Sequence, residues 1–388
     1  MRSLLLVMVV AACGGRPAQP TLPVRTPAVA PAHDLAQGKP DKPADNPAQK
    51  DPRVVDLDII RISAKETSPG TIELEHVATA DLFKQANEAA KSGATGQAMA
   101  IYRRIVAEFP ESQFAPVSLF NIAAISDGQG DLAQTIGTLR ELVKSYPQSR
   151  ESIDGHLYIA ALQADHEQFA EADKTLVEVL ARQNLTFADR VEAYARKGYV
   201  LVELHKYDEA DAALQAAQAQ WRAANHIDDP YYIAMASYYR GELAHRRFLE
   251  APVRLPDDQE VADLEAKRVL AVQAYDDWKE ALGYRQAYWA TASGYQMSQI
   301  FVELWEITVK APYPHRIDAG TRDKYVVEVH DRVREHLAKA LEGHRMNVEL
   351  AKAYGVETTW SQGSAKRAVQ IVEMLAKDTA GQFVTPAN

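Results

Sequence analysis

Apolar positions along the chain follow distinct patterns in successive segments. Leu4 to Ala12 is unbroken by a polar residue. Residues 14–53 show no apolar run of that kind, and nine of the nineteen prolines fall there, among Ala, Gln, Lys, Asp and Gly. Val54–Ile62 and Thr71–Glu75 are rich in β-branched residues and are separated by a segment containing Ser68-Pro69-Gly70. This predicts a small β-hairpin within residues 54–78. An isolated hairpin is marginal, so it should pack on the rest of the chain or add to a partner's sheet. From about residue 79 apolar residues recur at intervals of three and four, the period of helices that bury one face.

The helical part is also self-similar. Small residues recur at Ala86, Ala123, Ala160 and Gly198, and again at Ala98, Thr135, Ala172 and Ala210. Larger residues recur at Tyr102, Leu139, Leu176 and Leu214. All three series step by 37, 37 and 38 residues. Small residues let two helices of a hairpin approach, and a large residue four positions after the second small one fills the gap. Turn residues fall between the helices, as in Gly130-Asp131-Leu132 and Lys206-Tyr207-Asp208. The first two units end Phe109-Pro110-Glu111-Ser112 and Tyr146-Pro147-Gln148-Ser149, where proline stops the second helix.

These positions resemble the tetratricopeptide repeat, a helical hairpin with small residues at fixed places. The resemblance implies an all-α, superhelical solenoid with four repeats over residues 79–224. Residues 225–388 are read as degenerate helices of the same kind: Tyr231–Phe248, Val261–Leu282, Gln286–Val309, Arg322–Tyr354, and a capping helix Gly363–Lys377. Gly241 stands near the small position of the first, and Ala271 and Tyr275 supply the pair on the second. The Phe/Tyr-Pro-x-Ser ends look particularly like BamD-type and CpoB-type envelope proteins and the tetratricopeptide lipoproteins of gliding motility.

Met1-Arg2-Ser3 before a nine-residue apolar run has the form of a signal peptide over residues 1–12. A spanning helix needs about 20 residues. Val10-Ala11-Ala12-Cys13 looks like a bacterial lipobox, with Cys13 as the lipidated residue. The resemblance implies an anchor at Cys13, followed by a Pro/Ala-rich tether over residues 13–53 that lacks the apolar density to fold. Gly14 rather than Asp after the cysteine implies the outer membrane, facing the periplasm. As the single cysteine, Cys13 leaves no internal disulfide or multi-cysteine zinc site. The formal net charge of −10 argues against a nucleic-acid surface.

Candidate chemistry is sparse. The eleven histidines form no metal-binding pattern, and there is no GxSxG, P-loop or GxGxxG. The expectation is therefore no enzyme, no cofactor and no metal. Asn87 occupies one position of the carboxylate clamp of peptide-binding tetratricopeptide domains, but Ala124 and Tyr199 stand at the corresponding places. Residues 221–305 hold four of the five tryptophans and eight of the seventeen tyrosines. Core filling explains such density, and so does a groove in which Tyr232, Tyr239, Tyr288, Tyr295 and Trp305 grip a partner. The expected role is a scaffold for other cell-envelope proteins, in outer-membrane assembly, gliding motility or another trans-envelope machine. The alternative is a peptidoglycan- or glycan-binding module using those rings.

Overall fold

The computed structural model describes residues 60–68, 71–254, 257–314 and 317–385. The signal peptide, lipidated Cys13 and tether expected from the sequence lie outside them. The described residues are all-α apart from one hairpin, in which β1 (Ile60–Ser68) pairs antiparallel with β2 (Thr71–Ala78). The register runs from Ile60 opposite Ala78 to Ser68 opposite Thr71, with an irregularity between Glu66 and Ser68. Relative to the sequence reading, the paired strands lie further along the chain.

Thirteen helices follow among the described residues. They are α1 (Thr79–Lys91), α2 (Thr95–Glu108), α3 (Phe114–Gly128), α4 (Leu132–Ser145), α5 (Arg150–Asp165), α6 (Phe169–Leu180), α7 (Phe187–Glu203) and α8 (Tyr207–Ala223). Then come α9 (Tyr231–Glu250), α10 (Asp257–Gly283), α11 (Ala287–Lys310), α12 (Arg322–Ala353) and α13 (Thr359–Thr379). The described residues form two compact units whose boundary, after Leu162, falls inside α5.

In the unit that ends at Leu162, α1–α4 enclose a core around Phe83, Ala86, Ala98, Tyr102, Ile105, Leu119 and Leu139. The Tyr102 hydroxyl donates to Asn87 Oδ1 (2.5 Å) and accepts from Asn121 Nδ2 (3.2 Å). Asn87, the single clamp-like residue, is thus engaged inside its own hairpin. Helices α2 and α4 end immediately before Phe109-Pro110 and Tyr146-Pro147, where proline supplies no N–H to continue the ladder.

The unit that begins at Gln163 contains α6–α13. No proline separates α6 from α7; a capping box does. Thr186 Oγ1 accepts from the Asp189 amide and Asp189 Oδ2 accepts from the Thr186 amide. Residues of the three repeating series are buried in both units, and each series alternates as expected: first small residue on the odd helix, second small residue and filler on the even one. At Gly198 the fit is close enough that a Cβ would lie 2.2 Å from Leu214 Cδ2.

The same device continues beyond α8, although the spacing changes. A Cβ on Gly241 in α9 would meet Trp278 of α10, which is fully buried. The pair on α10 is therefore Ala274 and Trp278, one helical turn beyond Ala271 and Tyr275; Tyr275 is only half-buried. Helices α11 and α12 approach through two glycines: a Cβ on Gly294 would meet Asn347 Oδ1 at 2.3 Å, and one on Gly343 would meet Ser298 Oγ at 2.4 Å.

Candidate partner-binding face

Four helices of the second unit present aromatic and polar side chains to one another: α7, α9, α11 and α13. On α7 the residues are Glu192, Arg196, Tyr199 and Glu203, spaced as one helical face. Tyr199 packs against Tyr239 of α9 with ring centroids 4.7 Å apart. Trp289 of α11 is the hub of the cluster and contacts Tyr231, Tyr238, Tyr239 and Tyr288, at 4.9 to 5.9 Å between centroids. Trp360 of α13 extends it, lying 5.5 Å from Tyr295 and 6.1 Å from Tyr238. Most of these contacts are tilted or edge-on, the arrangements that ring quadrupoles favour.

Beside the rings runs a chain of polar contacts. Arg246 of α9 donates to Glu203 of α7 at 2.8 Å. Gln296 of α11 donates to Glu242 of α9 at 2.7 Å, and His245 Nε2 lies 2.6 Å from Glu303 Oε2. Gln299 donates to the other Glu303 oxygen at 3.3 Å, and Arg367 of α13 donates to Gln299 at 2.9 Å. Burial raises the Glu242 pKa; His245 and Arg246 oppose the rise, while Glu303 and Glu203 add to it. Burial also works against a charge on His245, but its hydrogen bond to Glu303 and the fields of Glu303 and Glu242 outweigh that, so its pKa lies above the usual value.

At one end of this face the Arg196 guanidinium lies 5.0 Å from the Tyr232 ring centroid. Its Nη2 donates to the Tyr232 hydroxyl at 2.7 Å, and its Nε donates to Glu192 at 3.0 Å. Burial pushes the Tyr232 hydroxyl well above its ordinary pKa, with Arg196 pulling the other way. Arg196 and Glu192 are both buried, which leaves Tyr232 locked rather than free.

Tyr232, Tyr288 and Tyr295 are half-buried members of this face, and Tyr239 belongs to it but is 9% exposed. Trp305 does not join them. It is 4% exposed and packs with Val302, Val309, Leu337, Ala340 and Ile371, its ring edge-on to His330. Its position on α11 follows the helix period onto the core side, so it lines no groove. The polar residues Arg196, Glu203, Glu242, Gln296, Gln299 and Arg367 were not singled out from sequence. The signal for the α7 set was the one-face spacing of Glu192, Arg196, Tyr199 and Glu203.

Among the described residues no group of three or more His, Cys, Asp or Glu could hold a metal ion. Nor is any described helix long and apolar enough to cross a membrane.

Residues 73–230, which span the regular hairpins, match the tetratricopeptide repeat-like domain. Among solved structures, a tetratricopeptide repeat protein from Parabacteroides merdae is 10% identical, covering 76% of this chain and 98% of its own, with a TM-score of 0.35. The C-terminal part of a repeat-containing protein from Cytophaga hutchinsonii is 11% identical, covering 77% and 98%, with a TM-score of 0.40. The MamA RS-1 ArsTM double mutant is 15% identical, covering 50% and 94%, with a TM-score of 0.33. No curated protein matches the chain significantly. A fold of tetratricopeptide-like hairpins suggests a protein–protein interaction scaffold.

Proposed function

We propose that the chain is a periplasm-facing lipoprotein of the outer membrane that holds other envelope proteins through the face formed by α7, α9, α11 and α13. The observation that carries the binding role is the half-buried ladder of Tyr288, Tyr295, Gln296 and Gln299 beside Glu203, Glu242 and Glu303. It offers rings for packing together with amide and carboxylate groups that can bond a polypeptide backbone. Cys13 supplies the anchor and residues 13–53 the reach. Outer-membrane assembly, gliding motility and other trans-envelope machinery are the processes in which such a scaffold serves.

A protein partner fits the packing better than a sugar. Trp289 and Tyr239 are consumed by contacts with neighbouring rings, and neither leaves a broad aromatic face for a pyranose to stack on.

A photo-crosslinking residue placed at Gln299 in intact cells should capture a reproducible set of envelope proteins, while the same probe at exposed Arg268 on α10 should not. Equal capture at both sites, or none at Gln299, would remove this face as the binding site. Cys13→Ala should release the protein from membranes; persistent membrane association would sink the lipid anchor.

A further inference from the structure

Helix α13 ends in a turn that sends the chain back over α12. Gly381 has a φ of 75°; its amide donates to the Asp378 carbonyl and the Gln382 amide to that of Lys377, the paired bonds of a Schellman cap. The reversal lays residues 382–385 against His330 of α12. Phe383 packs on the imidazole with ring centroids 4.5 Å apart, and His330 Nε2 lies 2.8 Å from the Val384 carbonyl oxygen. On the other side of the ring, Nδ1 meets Asp378 Oδ1 of α13, whose second oxygen accepts from Arg334 Nε at 2.5 Å. His330 is 1% and Asp378 2% exposed, so the ring bonds to protein groups rather than to bulk water.

These partners fix how many protons the ring must carry. A carbonyl oxygen can only accept, and Asp378, paired with a guanidinium, is an acceptor too. Neutral imidazole has one N–H and one bare nitrogen, so it serves one of the two partners and turns a lone pair on the other. Both bonds form only when both ring nitrogens carry hydrogen. We propose that residues 382–385 are a proton-dependent strap, latched over the α12–α13 end by imidazolium at His330 and released when that ring loses a proton. The bond to Asp378 is the one that persists, because it joins two packed helices, whereas Val384 lies in a short segment outside any helix.

The surroundings suit a charged ring. Asp378 faces it from α13, and on α12 itself stands Arg334, which pairs with both Asp378 and Asp331. Helix α11 contributes the Trp305 indole, edge-on at 5.8 Å, and the strap contributes the Phe383 ring and the Val384 carbonyl. Within this group two cations then meet two carboxylates, so protonation completes the charge balance. Proton and strap favour one another. The strap is therefore closed at the acid end of the imidazole range, about pH 5, and opens as pH rises towards about 8. Opening uncovers the imidazole against which Trp305 packs. It uses none of the residues of the proposed binding face, so the two readings stand or fall separately.

The test places 4-fluorophenylalanine at position 383 of the full chain and follows its fluorine-19 signal from about pH 5 to about pH 8. The signal should sit at the position of a packed ring at the acid end and shift to that of a solvated ring at the alkaline end. His330→Gln, which has no titratable proton, should abolish the shift, while His336→Gln, six residues along the same helix, should leave it in place. Circular dichroism checks that both variants fold. Nitrogen-15 spectra of histidine-labelled native chain need no variant: one ring should carry hydrogen on both nitrogens at the acid end and lose one over the interval in which the fluorine signal moves. A fluorine signal that is the same at both ends of the range overturns the proposal. So does a shift that survives His330→Gln, or one with which no histidine ring changes its protonation.

Discussion

Gly241 of α9 and Trp278 of α10 occupy one space: a Cβ on the glycine would lie 2.4 Å from Cδ1 of the indole. The indole is wholly buried and a rigid bicycle, so it has no flexible end to yield. Gly241→Ala is therefore expected to destabilise by about 1–3 kcal/mol, although alanine favours helix by about 1 kcal/mol. Gly137 in α4 supplies the contrast, because nothing lies within 4 Å of its added Cβ. Gly137→Ala should stabilise by about 0.5–1 kcal/mol through helix propensity alone. Urea unfolding of the two variants should move the midpoint in opposite directions.

A fourth periodic series is conformational. Gly93, Gly130, Glu167 and His205 all have positive φ, between 57° and 81°, in the turns that join the two helices of successive hairpins. Two of the four carry side chains in a region where a Cβ costs about 1–2 kcal/mol. Glu167→Gly should stabilise by up to about 1 kcal/mol, once the greater freedom of glycine in the unfolded chain is set against it. Gly130→Ala should destabilise by about 1 kcal/mol. Equal shifts of the same sign in thermal unfolding would contradict the turn argument.

The regular hairpins were legible because each needs a small residue, a second small residue and a filler at constant spacing. Beyond α8 the small and filler residues remain, but α10 is 27 residues long and the small-to-small distance grows from Gly198–Ala210 to Gly241–Ala274. A fixed period no longer finds them. Tyr275 and Trp278 lie three apart on that helix, and sequence spacing does not say which one faces Gly241. The site was legible only as a density of rings. Trp305 has the same composition signal as Tyr295, yet the helix turns it into the core. The carboxylates and amides that join the helices carry no signature in isolation, since Glu242 or Gln299 on a helix reads as ordinary solvated surface.

Arg196 and Glu192 are buried together, and each compensates the other's charge. Glu192→Ala should cost about 3–5 kcal/mol, because it leaves the guanidinium buried with only the Tyr232 hydroxyl. Replacing the pair by Arg196→Met with Glu192→Leu should cost much less than that single change, since no unpaired charge remains. The comparison is one of unfolding free energies. A double variant that loses as much as Glu192→Ala would show that the pair's hydrogen-bond geometry, including that to Tyr232, matters more than its charge balance.

His344 of α12 gives the second unit a defined acid sensitivity. Its ring is fully buried, with Nδ1 3.2 Å from Ser364 Oγ and Tyr295 packed edge-on at 5.1 Å. Burial, aided by the nearby Arg367 charge, lowers its pKa from 6.5 to about 4. Above pH 6.5 the ring is neutral in both folded and unfolded chains and contributes no pH dependence. Between about 6.5 and 4 the unfolded chain takes up the proton and the folded one does not, so stability falls as pH falls. The loss attributable to this ring reaches about 2 kcal/mol at pH 5 and about 3 kcal/mol near pH 4. His344→Gln should remove that slope while leaving the contributions of other groups in place. Urea midpoints at pH 7 and pH 5 should therefore differ more for the native chain than for the variant. Equal differences would mean that the ring is protonated in the folded state.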